Sequence, residues 1–199
     1  MKVLVACEHT GAVRDAFRAR GHQAYSCDLL PDVSGSPYHI QKDVLSVLDE
    51  EWDLMIAHPP CTYLCSSGLH WNTKRVGRHM QTLQALAFVD KLLNAPIPKV
   101  AIENPVGCIG TKIRKASQYI QPYQFGHDHS KTTGLWLVGL PNLMPTDFVS
   151  ASWYNDKGLP RWSNQTPQGQ DKTGPSSDRW AKRSKTFTGI AKAMSEQWG

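Results

Sequence analysis

A thiol, Cys61, follows two prolines, Pro59 and Pro60, at the end of the apolar run Leu54-Met55-Ile56-Ala57. A run of this kind stopped by two prolines reads as a buried strand delivering a rigid turn, because each proline fixes φ and removes a backbone donor. A free cysteine is more often a small buried hydrophobe than a nucleophile. Here it follows the C-terminal end of a strand, where open α/β sheets gather their ligands, and nucleophilic catalysis becomes the sharper reading. A second run, Lys99-Val100-Ala101-Ile102, ends in Glu103-Asn104-Pro105. Neighbouring parallel strands lie about 5 Å apart, so Cys61 and Glu103 could share one small site, a nucleophile beside a carboxylate.

The elements that must position these groups are set by pattern. Lys2 to Ala6 reads as a first buried strand, followed by the turn Cys7-Glu8-His9-Thr10-Gly11. Thr10 is the expected N-cap of a helix that turns Val13, Ala16 and Phe17 inward and ends at Gly21. His22 to Cys27 makes a second strand with Asp28 at its tip, the place where nucleotide-binding folds hold a ribose. One glycine stands where a dinucleotide fingerprint has three, so a smaller ligand without a pyrophosphate fits better than NAD. Pro31 to Pro37 is a loop, and Asp43 precedes a short helix that ends before Trp52. Residues 62–79, with Ser66, Ser67, Lys74, Arg75 and Arg78, read as a mobile loop over the site. Ala85, Phe88, Val89, Leu92 and Leu93 then mark a helix face packed on a sheet.

Further along, residues 112–119 suggest a short helix, and residues 119–126 and 135–139 two strands of a terminal antiparallel pair. Gly126 to Thr133 is a polar, site-facing link. Residues 140–186 are rich in Pro, Gly, Ser and Trp without usable periodicity, which predicts irregular structure with some mobility. A closing helix over 187–198 turns Ile190, Ala193, Met194 and Trp198 to one side.

The 199 residues make one domain the economical expectation, and the formal charge of +5 leans mildly toward polyanionic partners. Five scattered cysteines without a C-x-x-C pair indicate neither a disulfide framework nor a zinc ribbon. A zinc site from Cys61, Cys65, His127 and His129 lacks a familiar spacing, so no metal is expected. With a strand-like start and no window of ~20 apolar residues, a soluble cytoplasmic protein is predicted, without membrane contact or an obligate protein partner.

Taken in order, Val3 to Gly11, Asp28, Asp43, Pro59-Pro60-Cys61, Glu103-Asn104 and the helix led by Gly189-Ile190-Ala191 resemble the cytosine carbon-5 methyltransferases. The resemblance implies a Rossmann-like α/β methyltransferase fold, a mostly parallel sheet with a terminal antiparallel strand pair. It implies S-adenosylmethionine as cofactor, with Ala6, Cys7, Glu8, Thr10 and Gly11 near its methionine part and Asp28 on the ribose. Asp43 would meet the adenine amine, with Leu29 and Val44 on the ring faces. His58, with Pro60, would wall the cofactor side, and Gly189 and Ile190 would complete it. Cys61 would add to carbon 6 of the base, because carbon 5 is a poor nucleophile until something does. Glu103 would hold the N3 edge and exocyclic amine. Pro60, Ser66, Ser67, Asn104 and Lys131 would line the base.

Three departures from the family bear on substrate. The first turn is poorer in glycine, Ser130-Lys131-Thr132-Thr133-Gly134 replaces an arginine-bearing motif, and residues 140–186 are too few for a full target-recognition domain. Such a chain is expected to read little DNA sequence, or to act on single-stranded DNA, RNA or a free cytosine nucleotide. Lys74-Arg75 and Arg78 with Trp71, and residues 179–185 with Trp180, are candidates for holding phosphates and stacking bases. A degenerate nucleic-acid-binding module is the alternative from another class. An exocyclic-amine methyltransferase fits His58 and Cys61 poorly.

Overall fold

Val3, Leu4, Val5 and Ala6 have no solvent exposure, and neither have Leu54, Met55, Ile56 and Ala57. Strands apolar at consecutive positions need cover on both faces, which a parallel sheet wrapped by helices provides. In the computed structural model, which describes residues 1–174 and 186–199, these two strands lie side by side at the centre of a seven-stranded sheet. Its members are β1 (Lys2–Ala6), β2 (Gln23–Asp28), β3 (His39–Gln41), β4 (Leu54–Ala57), β5 (Val100–Pro105), β6 (Gln118–Ile120) and β7 (Thr133–Val138). They are ordered β3-β2-β1-β4-β5-β7-β6. Every pairing is parallel except those of β7, which runs antiparallel to β5 and to β6. This is the Rossmann-like fold expected from the sequence, with its terminal antiparallel pair. The strand order reverses between β1 and β4, so the turns after those two strands flank the crevice where such sheets bind ligands.

Alternation along the strands feeds two cores. Leu4, Ala6, Met55, Ala57, Val100 and Ile102 face α3 (Arg78–Leu93), together with Val44, Trp52 and Trp136. Val3, Val5, Leu54, Ile56 and Ala101 face α1 (Ala12–Ala19) and the closing helix (Thr188–Trp198), which contribute Phe17, Ile190, Met194 and Trp198. The next residues on β4 and β5, His58 and Glu103, therefore belong to the second face and Asn104 to the first.

Several local expectations are corrected. Thr10 is not the N-cap of α1; Gly11 is, in the left-handed region at φ 74°. Residues 62–79 are not an open loop. They hold 3-10 turns at Cys61–Tyr63 and His70–Thr73 and the short α2 (Ser66–Leu69). Helix α3 starts earlier than its apolar face suggests, because Thr82 Oγ1 donates to the Tyr63 carbonyl (3.1 Å) and so docks its polar first turns. The short helix near residue 112 is α4 (Ile109–Lys112), and β6 is only three residues long. The described part of residues 140–186 is tied down locally. Two-residue strands β8 (Trp153–Tyr154) and β9 (Pro160–Arg161) pair, and Trp162 stacks on Tyr123 with ring centroids 3.9 Å apart. Strands that short leave no periodicity to read.

Gly189 opens the closing helix where a Cβ would sit 1.8 Å from the Phe125 carbonyl oxygen. Its N–H donates to His127 Nε2 at 3.0 Å. Gly189→Ala must displace backbone and is expected to cost about 1–3 kcal/mol, seen as a lower urea midpoint with an unchanged m value.

Candidate active site

The turn after β1 is built on two left-handed residues. Cys7 has φ 58° although it carries a side chain, and its N–H donates to the Cys27 carbonyl at 2.7 Å. At Gly11 a Cβ would lie 2.1 Å from the Arg14 guanidinium. Arg14, with no exposure, donates to Asp32 (2.5 Å) and Ser26 (2.9 Å), pinning the loop after β2 to α1. Burial opposes the Asp32 charge, yet the Ser36 N–H, the Ser34 hydroxyl and Arg14 outweigh it and hold this carboxyl well below the usual range. Glu8 turns inward and is 4% exposed. Its carboxylate accepts from Val13 N (2.8 Å) and Arg14 N (3.2 Å), doing the capping expected of Thr10. The helix terminus beside the first turn is thus already capped by an internal carboxyl group, whose burial raises it above the usual carboxylate value.

Asp28 and Asp43 stand at the ends of β2 and of the loop after β3. Asp28 Oδ1 accepts from Leu30 N at 2.9 Å, and Asp43 caps the 3-10 turn Val44–Ser46 through Leu45 N at 3.0 Å. Burial, then Asp28, Cys27 and Asp43, push the Cys7 thiol up to about 12. Both acids therefore act on the same turn, and Cys7 is a neutral thiol. Leu29 is 71% exposed and Val44 is 4% exposed within the first core, so of the two residues expected against adenine only Leu29 is open.

The β4–β5 register pairs Ala57 with Ile102, which sets His58 beside Glu103. His58 Nδ1 and Glu103 Oε2 are 2.6 Å apart, with side chains 12% and 13% exposed. Burial disfavours both charges. The shared hydrogen bond and mutual attraction prevail, raising His58, with a further contribution from Glu8, and lowering Glu103, with a further contribution from Lys131. The pairing favours imidazolium beside carboxylate, against the pull of burial. Among the described residues Glu103 Oε1 makes no hydrogen bond, and His58 Nε2 and Asn104 Oδ1 are buried without partners.

The turn bearing Cys61 is held from several directions. Asn104 Nδ2 donates to the Pro59 carbonyl at 2.7 Å. Ser66 N donates to Val106 O (3.0 Å) and Cys108 N to Leu64 O (2.9 Å), so the segments after β4 and β5 are stitched together. Gly107 permits this, since a Cβ there would meet Leu64 O at 1.9 Å. Arg78 lies over the Tyr63 ring at 4.2 Å and donates to the Thr62 carbonyl at 2.6 Å. Cys61 itself is half-buried, while Pro60, Ser66 and Ser67 are exposed on the same segment.

The sequence-derived site thus divides into groups. Glu103, Asn104, His58, Lys131 and the Pro60-Cys61 turn gather around the ends of β4 and β5. Ala6, Cys7, Glu8, Thr10, Gly11, Asp28, Leu29 and Asp43 surround the end of β1 and β2, with Ala6 fully buried. Gly189 packs on Phe125, and Ile190 is 2% exposed in the second core, so both are occupied in joining the closing helix to the sheet. Arg75 lies 4.0 Å over the Trp71 ring, with Lys74 at 5.9 Å, forming a basic cluster on the segment that follows the Cys61 turn. The second basic candidate, residues 179–185, lies outside the described residues. The His58–Glu103 pair is absent from the expectations drawn from the chain; its signal is a histidine one residue past β4, level with the acid one residue past the paired position on β5.

No protein-family model matches the chain, and no curated protein does. One matching solved structure is a prophage-encoded protein of E. coli, provisionally described as a DNA modification methyltransferase. It has a TM-score of 0.47 and 13% identity, covering 75% of this chain and 52% of that one. The chain therefore spans about half the length of that neighbour.

The pair fixes a pH signature. Glu103 is lowered, so its stabilisation is complete above the ordinary 4.5 and is lost as pH falls through the folded value. His58 is raised, so its stabilisation is complete below the ordinary 6.5 and is lost as pH rises through the folded value. The difference in urea unfolding free energy between wild type and Glu103→Gln is expected to be largest between 4.5 and 6.5 and to shrink on both sides. A difference flat across pH would contradict the ion pair.

Proposed function

We propose that the chain is an S-adenosylmethionine-dependent methyltransferase acting on carbon 5 of cytosine through a covalent adduct at Cys61, with DNA as substrate. The observation that carries this reading is the stitching of the Cys61 turn to the strand end bearing Glu103, through Asn104 and the Pro59 carbonyl. A nucleophile and an anionic acceptor are thereby fixed at adjacent strand ends beside the crevice.

The donor set after β1 to β3 suits the cofactor. Each of Asp28 and Asp43 commits one oxygen to a local backbone N–H, leaving the other for a ribose diol or an adenine amine, with Leu29 open beside them. Glu8 is turned to α1, so contacts to the methionine part fall to the backbone of the turn and to Thr10. When bound, the cofactor supplies an electrophilic methyl group. Cys61, as thiolate, adds to carbon 6 and breaks the 5,6 double bond, making carbon 5 a nucleophile; once carbon 5 is methylated, loss of its proton re-forms the double bond as the carbon–sulfur bond breaks and Cys61 leaves as thiolate. Glu103 Oε1 accepts from the exocyclic amine, and the Lys131 charge lies within electrostatic reach of Glu103. Asn104 acts through Pro59, holding the turn while sulfur bonds and later leaves. Lys74 and Arg75 present cations to a phosphate backbone, which favours a polymer over a free nucleotide.

Incubation with cofactor and 5-fluorocytosine DNA should give a covalent adduct at Cys61, because the proton normally lost from carbon 5 is absent. Cys61→Ala should form none while still binding cofactor. Absence of an adduct in wild type with cofactor bound would overturn the reading, and parallel assays on RNA and dCMP test the substrate class. Retention of biological activity by Cys61→Ala would instead indicate a binding module. Lys74→Ala is expected to weaken DNA binding uniformly across sequences and to reduce the salt slope by about 1, measured by titration at several salt concentrations.

A further inference from the structure

Glu103 is an acid enclosed at the end of β5, and a carboxylate that must present one oxygen to a ligand needs its other oxygen fixed. In this chain the segment Ser130-Lys131-Thr132-Thr133-Gly134 offers no arginine for that purpose. The group in contact is an imidazole. His58 Nδ1 stands 2.6 Å from Oε2, and both side chains are nearly enclosed.

We propose that His58 is the positioning residue of Glu103, fixing Oε2 so that Oε1 faces the base, and that it does so as an imidazolium. This rests on the methyltransferase reading for its consequence, though not for the pair itself. The charged groups facing His58 come from three elements. Glu103 on β5 bonds to it, Glu8 in the turn after β1 attracts it, and Lys131 before β7 opposes it. Glu8 is itself raised by burial, partly offset by His58 and by the N–H groups of Val13 and Arg14, so Glu103 is the partner that decides. The Nε2 atom has no partner among the described residues, which leaves the protonation state to these carboxylates.

An imidazolium differs from an arginine in the same role because it titrates near neutrality. As pH rises through the folded value, Nδ1–H still donates to Glu103 but the charge is gone. The pair then holds orientation without holding the carboxylate's field in balance, and turnover falls on the alkaline side.

Two measurements on the full chain test this. In ¹⁵N-histidine NMR the His58 signals, identified by their loss in His58→Asn, should show both ring nitrogens protonated above 6.5, and Glu103→Gln should bring the titration down. Titration at or below 6.5 in wild type, or no response to Glu103→Gln, overturns the proposal. In the adduct assay His58→Ala should slow trapping by about 10²-fold, the scale of a misplaced reacting group. His58→Asn, whose amide can donate from the Nδ1 position without charge, should recover only to the rate wild type shows at the alkaline end of its profile and should lose the alkaline decline. His58→Ala trapping as fast as wild type also overturns the proposal. If wild type forms no adduct, the methyltransferase reading fails, and the NMR measurement still decides the pair.

Discussion

The register between β4 and β5 is the constraint on which the rest of the site depends. Pairing Ala57 with Ile102 leaves no freedom in the residues beyond it, because a slip of one position would turn every later side chain to the other face. With this register His58 and Glu103 emerge together on the side of α1, while Asn104 emerges on the other side and reaches the Pro59 carbonyl. The sheet is crossed at its end by two opposite attachments, one ionic and one amide. Between them lies the proline turn that carries Cys61. Prolines cannot donate to a neighbouring strand, so this turn is held through its carbonyl groups, those of Pro59 and Thr62, and through Arg78 and Asn104.

Charge is placed at the same end of the sheet with little solvent to screen it. Titratable groups Glu8, His58 and Glu103 follow one another across the ends of β1, β4 and β5, with Lys131 close by; burial raises Glu8, while the His58–Glu103 pair favours its charged forms. Buried charges persist only when paired or hydrogen-bonded. Here Glu8 is held by the N–H groups of α1 and Glu103 by His58 through Oε2, whereas Glu103 Oε1 and one nitrogen of His58 have no hydrogen-bond partner among the described residues. Such an arrangement costs stability in isolation. Its persistence in an otherwise well-packed core is the physical reason to look for chemistry at this edge.

Much of the fold is legible in the sequence because the central strands are continuous apolar runs ending in proline or in a polar turn. The α1 and α3 faces come from spacing, and the antiparallel pair from two short apolar segments around a polar link. The cap of α1 is not legible, because Thr10 has the right chemistry at nearly the right place, while the capping carboxyl comes from Glu8, two residues earlier and folded back. Residues 62–79 conceal short helical turns, since their docking depends on Thr82 and Arg78, outside or at the very edge of the segment. The pairing of His58 with Glu103 needs the register, a property of two strands jointly that neither run contains. Gly189 and Ile190 are legible as a helix start, but their packing on Phe125 and the second core requires the three-dimensional path.

The left-handed cysteine after β1 reaches further than the geometry of its turn. Burial also raises Cys27, to about 11, and Cys108. With Cys7 they make three thiols held above the ordinary thiol value, with the thiolate form disfavoured at each. Mild electrophiles that seek a thiolate are thereby steered away from these three positions in the folded chain. The fold thus shields part of its own sulfur from covalent modification.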